Sequence, residues 1–329
     1  MREQILSLLA GQKTGAIPTF SGLIHITTEG LKREGLSLHE VHHDAEKMAH
    51  AAASTFKLTG MSSATLPLDL CAPAEALGSD LNFYEDGRDQ FPQVKRVIFD
   101  SCKSLIAEFP ENAEISKLGR IKIICEAMRL VKEDIGKGIV ISGLIPGPYT
   151  LLLYLCNVTN MVVEMKKEPQ VVLDALLHLS SFLAKIGKAY HDAGADFITI
   201  HDMGGSAGFV GPSVYERFVF PAEKSLIEQL PKPSVLSVCG RMDKALHLLS
   251  QTGANAFSVD HTTDIQSARE VLKDTLLFGN IDPVEILWQG DEARIAEAVV
   301  GAKEAGVDAI WPGCDLVPST PIQNIKALC

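Results

Sequence analysis

Three times in the second half of this chain, a helical pattern runs into a glycine and then at once into a short apolar run. The passages are Ala193-Gly-Ala-Asp196 before Phe197-Ile-Thr-Ile200, Thr252-Gly-Ala-Asn255 before Ala256-Phe-Ser-Val259, and Ala305-Gly-Val-Asp308 before Ala309-Ile-Trp311. Glycine there suits the left-handed residue that ends many helices. Strands that alternate with helices build parallel sheet, because each parallel strand is reached by a crossover. Two further runs, 234–238 and 276–278, lie between the repeats. None of these runs alternates apolar with polar residues, so each strand is expected to be buried on both faces.

In the first half, residues 17–21, 63–66 and 138–144 read as strands, which makes eight with 197–200, 234–238, 257–259, 276–278 and 309–310. Helices are expected over 43–60, 91–108, 112–135, 148–155, 169–193, 212–230, 243–251, 265–272 and 293–304. Eight strands suffice to close a barrel, and no G-x-G-x-x-G follows the first of them, which weakens the open dinucleotide-binding sheet. The expected fold is an α/β (β/α)8 TIM barrel with N-terminal helical additions, one domain over 1–329.

Composition narrows the function classes. A formal charge of −11 argues against nucleic acid or an anionic membrane as partner. The most apolar window, near 149–163, is broken by Asn157, Thr159 and Asn160 and is too short to span a bilayer. Seven cysteines, an odd number, and no secretory leader point to reduced thiols in a cytoplasmic enzyme.

In such a barrel the carboxyl ends of all strands open on one mouth, where ligands bind. The residues at those ends are His201 and Asp202, Cys239, Asp260 and His261, Asn280 and Asp282, Cys314, and Asp69 after an early strand. Two thiols on separate strands suit one soft metal ion such as Zn²⁺. His201 and His261 are the candidates for a third ligand, and each has a neighbouring carboxylate, Asp202 or Asp260, that would pair with it instead. Gly204 and Gly205, in Gly204-Gly-Ser-Ala-Gly208, are expected to present free N–H groups to a cofactor or anion, with the loop as a gate. Asp69 and Glu75 are candidate polar site residues. His39, His42, His43 and His50 read as the solvated start of a helix.

These motifs, with Val235-Leu-Ser-Val-Cys239-Gly240, Phe278-Gly-Asn280, Gly313-Cys314 and Pro318-Ser-Thr-Pro321-Ile-Gln-Asn-Ile325, resemble the uroporphyrinogen decarboxylase superfamily. Within it they are most similar to the methylcobamide:coenzyme M methyltransferase branch, which Ile17-Pro18-Thr19-Phe20, segment 67–78 and Gly143-Leu-Ile-Pro-Gly-Pro148 also fit. The resemblance covers essentially the whole chain. It implies a (β/α)8 barrel, a zinc ion held by a His-x-Cys motif and a distant Cys, and methyl transfer from a corrinoid protein to a small thiol such as coenzyme M. Cys239 matches the motif's Cys and Cys314 the distant one. Ser237 stands where the motif has His, and a hydroxyl is a poor zinc ligand. Neighbouring strands lie about 5 Å apart, so His201 from one flank or His261 from the other is expected to fill that place.

Two other functions fit parts of the same pattern. One is a metal-free lyase of the decarboxylase type, with Asp69 or His201 as acid–base groups. That branch grips carboxylates with arginines near the first strand, and residues 17–26 contain none. The other is a barrel that only binds a corrinoid protein or tetrapyrrole. The sequence leaves the oligomeric state open, a homo-oligomer included.

Overall fold

The protein was analysed as a computed structural model, which describes residues 1–12, 15–110 and 114–329. Its strands are β1 (Ser63–Leu66), β2 (Leu81–Asn82), β3 (Gln93–Val94), β4 (Val140–Pro146), β5 (Phe197–Asp202), β6 (Ser234–Val238), β7 (Ala256–Val259), β8 (Leu276–Ile281) and β9 (Ala309–Pro312). Seven of them form one curled parallel sheet in the order β1, β4, β5, β6, β7, β8, β9, while β2 and β3 make a separate antiparallel pair.

The expected first strand closes this sheet into a barrel, but only as a single bridge between Thr19 and Ile310. Ile310 N–H donates to Pro18 O (2.9 Å) and Phe20 N–H to Ile310 O (3.3 Å). Pro18 has no N–H with which to extend that ladder. Toward β1 the closure runs through side chains. Ser21 N–H donates to Ser63 Oγ (2.8 Å), and Thr65 Oγ1 donates to Ser21 O (3.4 Å). Gly22 then crosses the barrel interior, where a Cβ would come within 2.1 Å of Thr199 Oγ1 and 2.7 Å of Trp311.

The repeated unit has a structural cause. Gly194, Gly253 and Gly306 all have positive φ (119°, 82° and 92°), as helix-ending residues do. Two residues on, the Asp or Asn clamps the start of the neighbouring strand. Asp196 accepts from Ile141 N–H (2.9 Å), Asn255 from Ser234 N–H (3.0 Å) and Asp308 from Leu277 N–H (2.8 Å). Their own N–H groups donate to the carbonyls of those same three residues. Each repeat thus satisfies an otherwise open strand end.

Both strand faces are buried, as the unbroken apolar runs require. Ile198, Ile200, Leu236, Val238, Phe257 and Val259 pack outward against the helices. Val140, Phe197, Val235, Ala256, Phe278 and Trp311 fill the barrel's lower interior, which the helix Arg2–Leu9 plugs with Ile5, Leu8 and Leu9. Phe20 sits edge-on to Phe197, Phe278 and Trp311 at 5.2–6.1 Å between ring centroids. Above this apolar floor the inward positions turn small and polar, with Ser142 Oγ 2.8 Å from Thr199 Oγ1.

Three expected helices differ. Residues 91–101 hold β3 and turns, and the helix there is only Cys102–Glu108. Phe91-Pro92 and the pairing of Gln93–Val94 with β2 keep that stretch extended. The helix expected over 112–135 starts outside the described residues, and its described part is a 3₁₀ turn, Ile115–Lys117, followed by Ile121–Asp134. The helix expected over 243–251 shrinks to Leu246–Leu249. By length and composition the 24-residue helix Pro169–Asp192 could cross a membrane. In this fold it buries Leu176, Leu179, Leu183, Ile186 and Tyr190.

Candidate metal centre

β5 and β6 are parallel neighbours with His201 opposite Ser237. Paired residues on adjacent strands point to the same face, so both look into the barrel. Cys239 follows two residues after Ser237 on that face, and its N–H donates to Asp202 O (3.1 Å) to continue the ladder. Cys314 follows β9 through Gly313, whose N–H donates to Ile281 O (2.7 Å) and where a Cβ would lie 2.8 Å from His261 N. One ligand atom each from His201, Cys239 and Cys314 lies within 4.8 Å of the other two. Tetrahedral zinc, with bonds of about 2.0–2.3 Å, sets its donors roughly 3.3–3.8 Å apart. Small side-chain movements would therefore bring all three onto one ion.

The electrostatics favour one deprotonated sulfur of the two. His201 is fully buried, which opposes its charging, but the Asp315 carboxylate 3.4 Å from Nδ1 and then Cys239 together outweigh burial and raise its pKa to about 10. Hydrogen bonding from the Cys314 thiol first, then from His201, draws the Cys239 pKa down to about 7 against burial. The Cys314 pKa is pushed up, first by that same bond to Cys239 and then by burial. Two thiols in contact behave as a pair that releases one proton readily and holds the second. Cys314 Sγ lies 3.6 Å from His201 Nε2, and Cys239 Sγ lies 3.3 Å from Asp260 Oδ2.

Among the described residues no other three His, Cys, Asp or Glu side chains converge in this way. His261 stands outside the cluster. Its ring lies between two carboxylates, Nδ1 3.3 Å from Asp260 and Nε2 3.4 Å from Asp282, and about a third of the side chain is exposed. The imidazole that joins the two sulfurs is therefore His201.

Asp69 departs from the expected acid–base role. Its carboxylate accepts from the N–H groups of Cys71 (2.8 Å) and Ala72 (3.1 Å) and from both Arg120 Nη atoms (2.8 and 3.2 Å). Although burial opposes ionisation, Arg120 and His42 hold this carboxyl well below the usual carboxylate range. It therefore has no proton to give, and its oxygens already serve four donors. Glu75 serves the same guanidinium, accepting from Arg120 Nε at 2.6 Å. Nor is His42 solvated: it is fully buried, with Nδ1 3.3 Å from Asp69.

Gly204 and Gly205 also differ from expectation, because their N–H groups are already used. Gly204 donates to Thr150 Oγ1 and Gly205 to Asp202 Oδ1, both at 2.9 Å. A Cβ would come within 2.4 Å of Leu153 at Gly204 and 2.7 Å of Asp202 at Gly205. Glycine is there for tight packing, with no donor left for an anion. Gly208 N–H is bound to Arg241 O (2.8 Å), so the loop is tied down rather than built as a free gate.

Beside the cluster opens a cleft of about 300 Å³, lined in part by Ile24, Cys71, Tyr154, Met203 and Asp315. Of the residues that shape the site, sequence reasoning missed Asp315, Tyr154, Thr150 and Arg120. Only Asp315 carried a local signal, its place next to Cys314.

A parallel barrel with two thiols and an imidazole converging at its carboxyl mouth defines a class of scaffold suited to soft-metal chemistry at sulfur. The family model of uroporphyrinogen decarboxylase matches residues 1–329. A methylcobamide:CoM methyltransferase of Methanosarcina acetivorans is 29% identical over 99% of this chain and 96% of its own. Another, of Methanosarcina barkeri, is 27% identical over 100% and 96%. The solved structure of a methyltransferase from Methanosarcina mazei superposes with a TM-score of 0.93 at 26% identity, covering 99% of this chain and 96% of that one. The chain belongs to the uroporphyrinogen decarboxylase family, as a methyltransferase member.

Proposed function

We propose that the protein moves a methyl group from a methylated corrinoid, carried by a partner corrinoid protein, to a small thiol of the coenzyme M kind, with a zinc ion held by His201, Cys239 and Cys314. The observation that carries this reading is the meeting of those three donors, from the ends of β5, β6 and β9, within 4.8 Å of one another. Two sulfurs and one nitrogen are a zinc-type donor set, and three protein ligands leave a fourth position for substrate, as catalytic zinc sites do. When bound, the ion supplies Lewis acidity that keeps an acceptor thiol deprotonated at neutral pH. For a free thiol of pKa about 8.5, that is worth roughly 2 kcal/mol at pH 7.

The chain's own residues prepare that chemistry. The apolar floor of Phe197, Phe278 and Trp311 closes the barrel from below, so substrates reach the sulfurs only from the mouth. In transfer, the acceptor sulfur forms a bond to the methyl carbon, the carbon–cobalt bond breaks with its electron pair left on cobalt, and the thiol's proton goes to solvent. Seven unpaired cysteines suit a reducing, cytoplasmic setting, and the same reading takes the 329 residues as one domain.

The test is elemental analysis joined to a methylcobalamin assay with a panel of thiols. About one zinc per chain, lost in Cys239→Ser, with methyl transfer lost in parallel, is the expected result. Transfer at the parental rate in a metal-free Cys239→Ser protein would overturn it. Corrinoid binding without transfer to any thiol would instead favour a binding barrel.

A further inference from the structure

We infer that Asp315 is the positioning residue of the site, holding the His201 ring with Nε2 turned to the sulfurs by facing the Nδ1–H as its hydrogen-bond acceptor. The inference rests on the zinc reading above and adds a residue that the metal-ligand pattern does not contain. His201 is fully buried and has two faces to account for. Nε2 is 3.6 Å from Cys314 Sγ, and Nδ1 is 3.4 Å from Asp315 Oδ2. Among the described residues nothing else pairs with Nδ1, and the Asp315 contact is an ion-pair approach rather than an aligned hydrogen bond.

The carboxylate is itself anchored. Its other oxygen, Oδ1, accepts the Ile24 N–H at 2.8 Å, which leaves Oδ2 for the ring. A neutral imidazole ligates through one nitrogen only if the other carries the proton, so an acceptor at Nδ1 selects the tautomer with a free Nε2 lone pair. This matters more here than where both ligands share a strand. His201 reaches in from β5 to serve Cys239 beyond β6, so its ring has no partner ligand two residues away to hold it.

The anchoring gives the test an unusual sign. In Asp315→Asn, the Ile24 N–H claims the amide oxygen, which leaves the amide NH₂ facing Nδ1. That donor favours the tautomer with the proton on Nε2, which cannot ligate. Asp315→Ala merely leaves the ring unguided. Zinc affinity, measured by competition with a chromophoric chelator, is expected to fall about 10- to 100-fold in Asp315→Asn and by less in Asp315→Ala. In the metal-free Asn variant only, where no carboxylate favours the doubly protonated ring, the His201 ¹⁵N signals should move to those of the neutral tautomer protonated on Nε2. A purely structural carboxylate would show the reverse order, with the isosteric Asn mild and Ala severe. That order, an Asn variant within about threefold of the parent, or an unshifted tautomer overturns the inference. Cys239→Ser separates the two readings. If it loses zinc while Asp315→Asn keeps it, only the role of Asp315 falls, and if it keeps zinc, the metal site itself is misread.

Discussion

If the proposed zinc site holds, replacing His201 by alanine removes one of its three protein donors and asks whether position matters more than residue number. Structural zinc sites contribute roughly 10–16 kcal/mol from four ligands, or about 3 kcal/mol for each. At about 1.4 kcal/mol per decade, the loss of one ligand lowers zinc affinity roughly 150-fold. The structure also specifies a rescue. Ser237 is the in-register neighbour of residue 201, it is buried on the same face, and its partner on β7 is the small Ser258. With His201 gone, an imidazole at 237 has both that vacated volume and a lateral shift of only about 5 Å to make up. The double variant His201→Ala, Ser237→His should therefore regain at least tenfold of the lost affinity. Metal competition would measure this, with circular dichroism confirming that both proteins are folded. A folded His201→Ala protein with parental affinity, or a folded double variant that gains less than tenfold, would refute the reasoning.

Other consequences concern the scaffold. Arg120 lies buried between Asp69 and Glu75, so Arg120→Met strands a buried carboxylate and should cost about 3–5 kcal/mol in urea unfolding. Adding Asp69→Asn should recover part of that cost, and a double variant no more stable than the single would count against the pairing. Glu223 is fully buried against Tyr215, with its carboxyl pKa raised well above 4.5 by burial first and then by Asp202. Between pH 4.5 and that raised value, the unfolded chain has released a proton that the native state keeps. Stability therefore falls with rising pH, by about 1.4 kcal/mol per unit. Glu223→Gln removes that slope, so its advantage over the parent should be larger at pH 8 than at pH 5, and parallel stability curves would argue otherwise. Gly22→Ala forces a Cβ to 2.1 Å from Thr199 Oγ1 and should destabilise by about 1–3 kcal/mol. An unchanged melting temperature would contradict the close crossing over the barrel interior.

Much of the architecture could be read from local pattern. The three helix–glycine–strand repeats announce parallel sheet because capping glycine and buried strand are near-neighbour properties, set by φ and by burial on both faces. The thiols of Cys239 and Cys314 were legible as mouth residues for the same reason, since each follows a strand within two residues. Boundaries were less legible where a partner decides. Residues 91–101 carry enough apolar residues for a helix, yet pairing across β2 and β3 and the Pro92 ring leave most of them extended.

Only the packed barrel brings His201, rather than His261, beside the two sulfurs. Both follow strand residues and both neighbour an aspartate. One points into the barrel beside Ser237, while the other turns out between Asp260 and Asp282. That choice depends on register between strands and on contacts such as the one from Cys314 to His201, 113 residues apart. The same holds for Asp69, drawn into service by Arg120 from 51 residues away, and for the glycines whose N–H groups Thr150 and Asp202 had already claimed. Short-range spacing determines which elements form and where each one ends. Which side chains then share a proton or an ion is a matter of angstroms between distant strands, and those distances exist only once the barrel has closed.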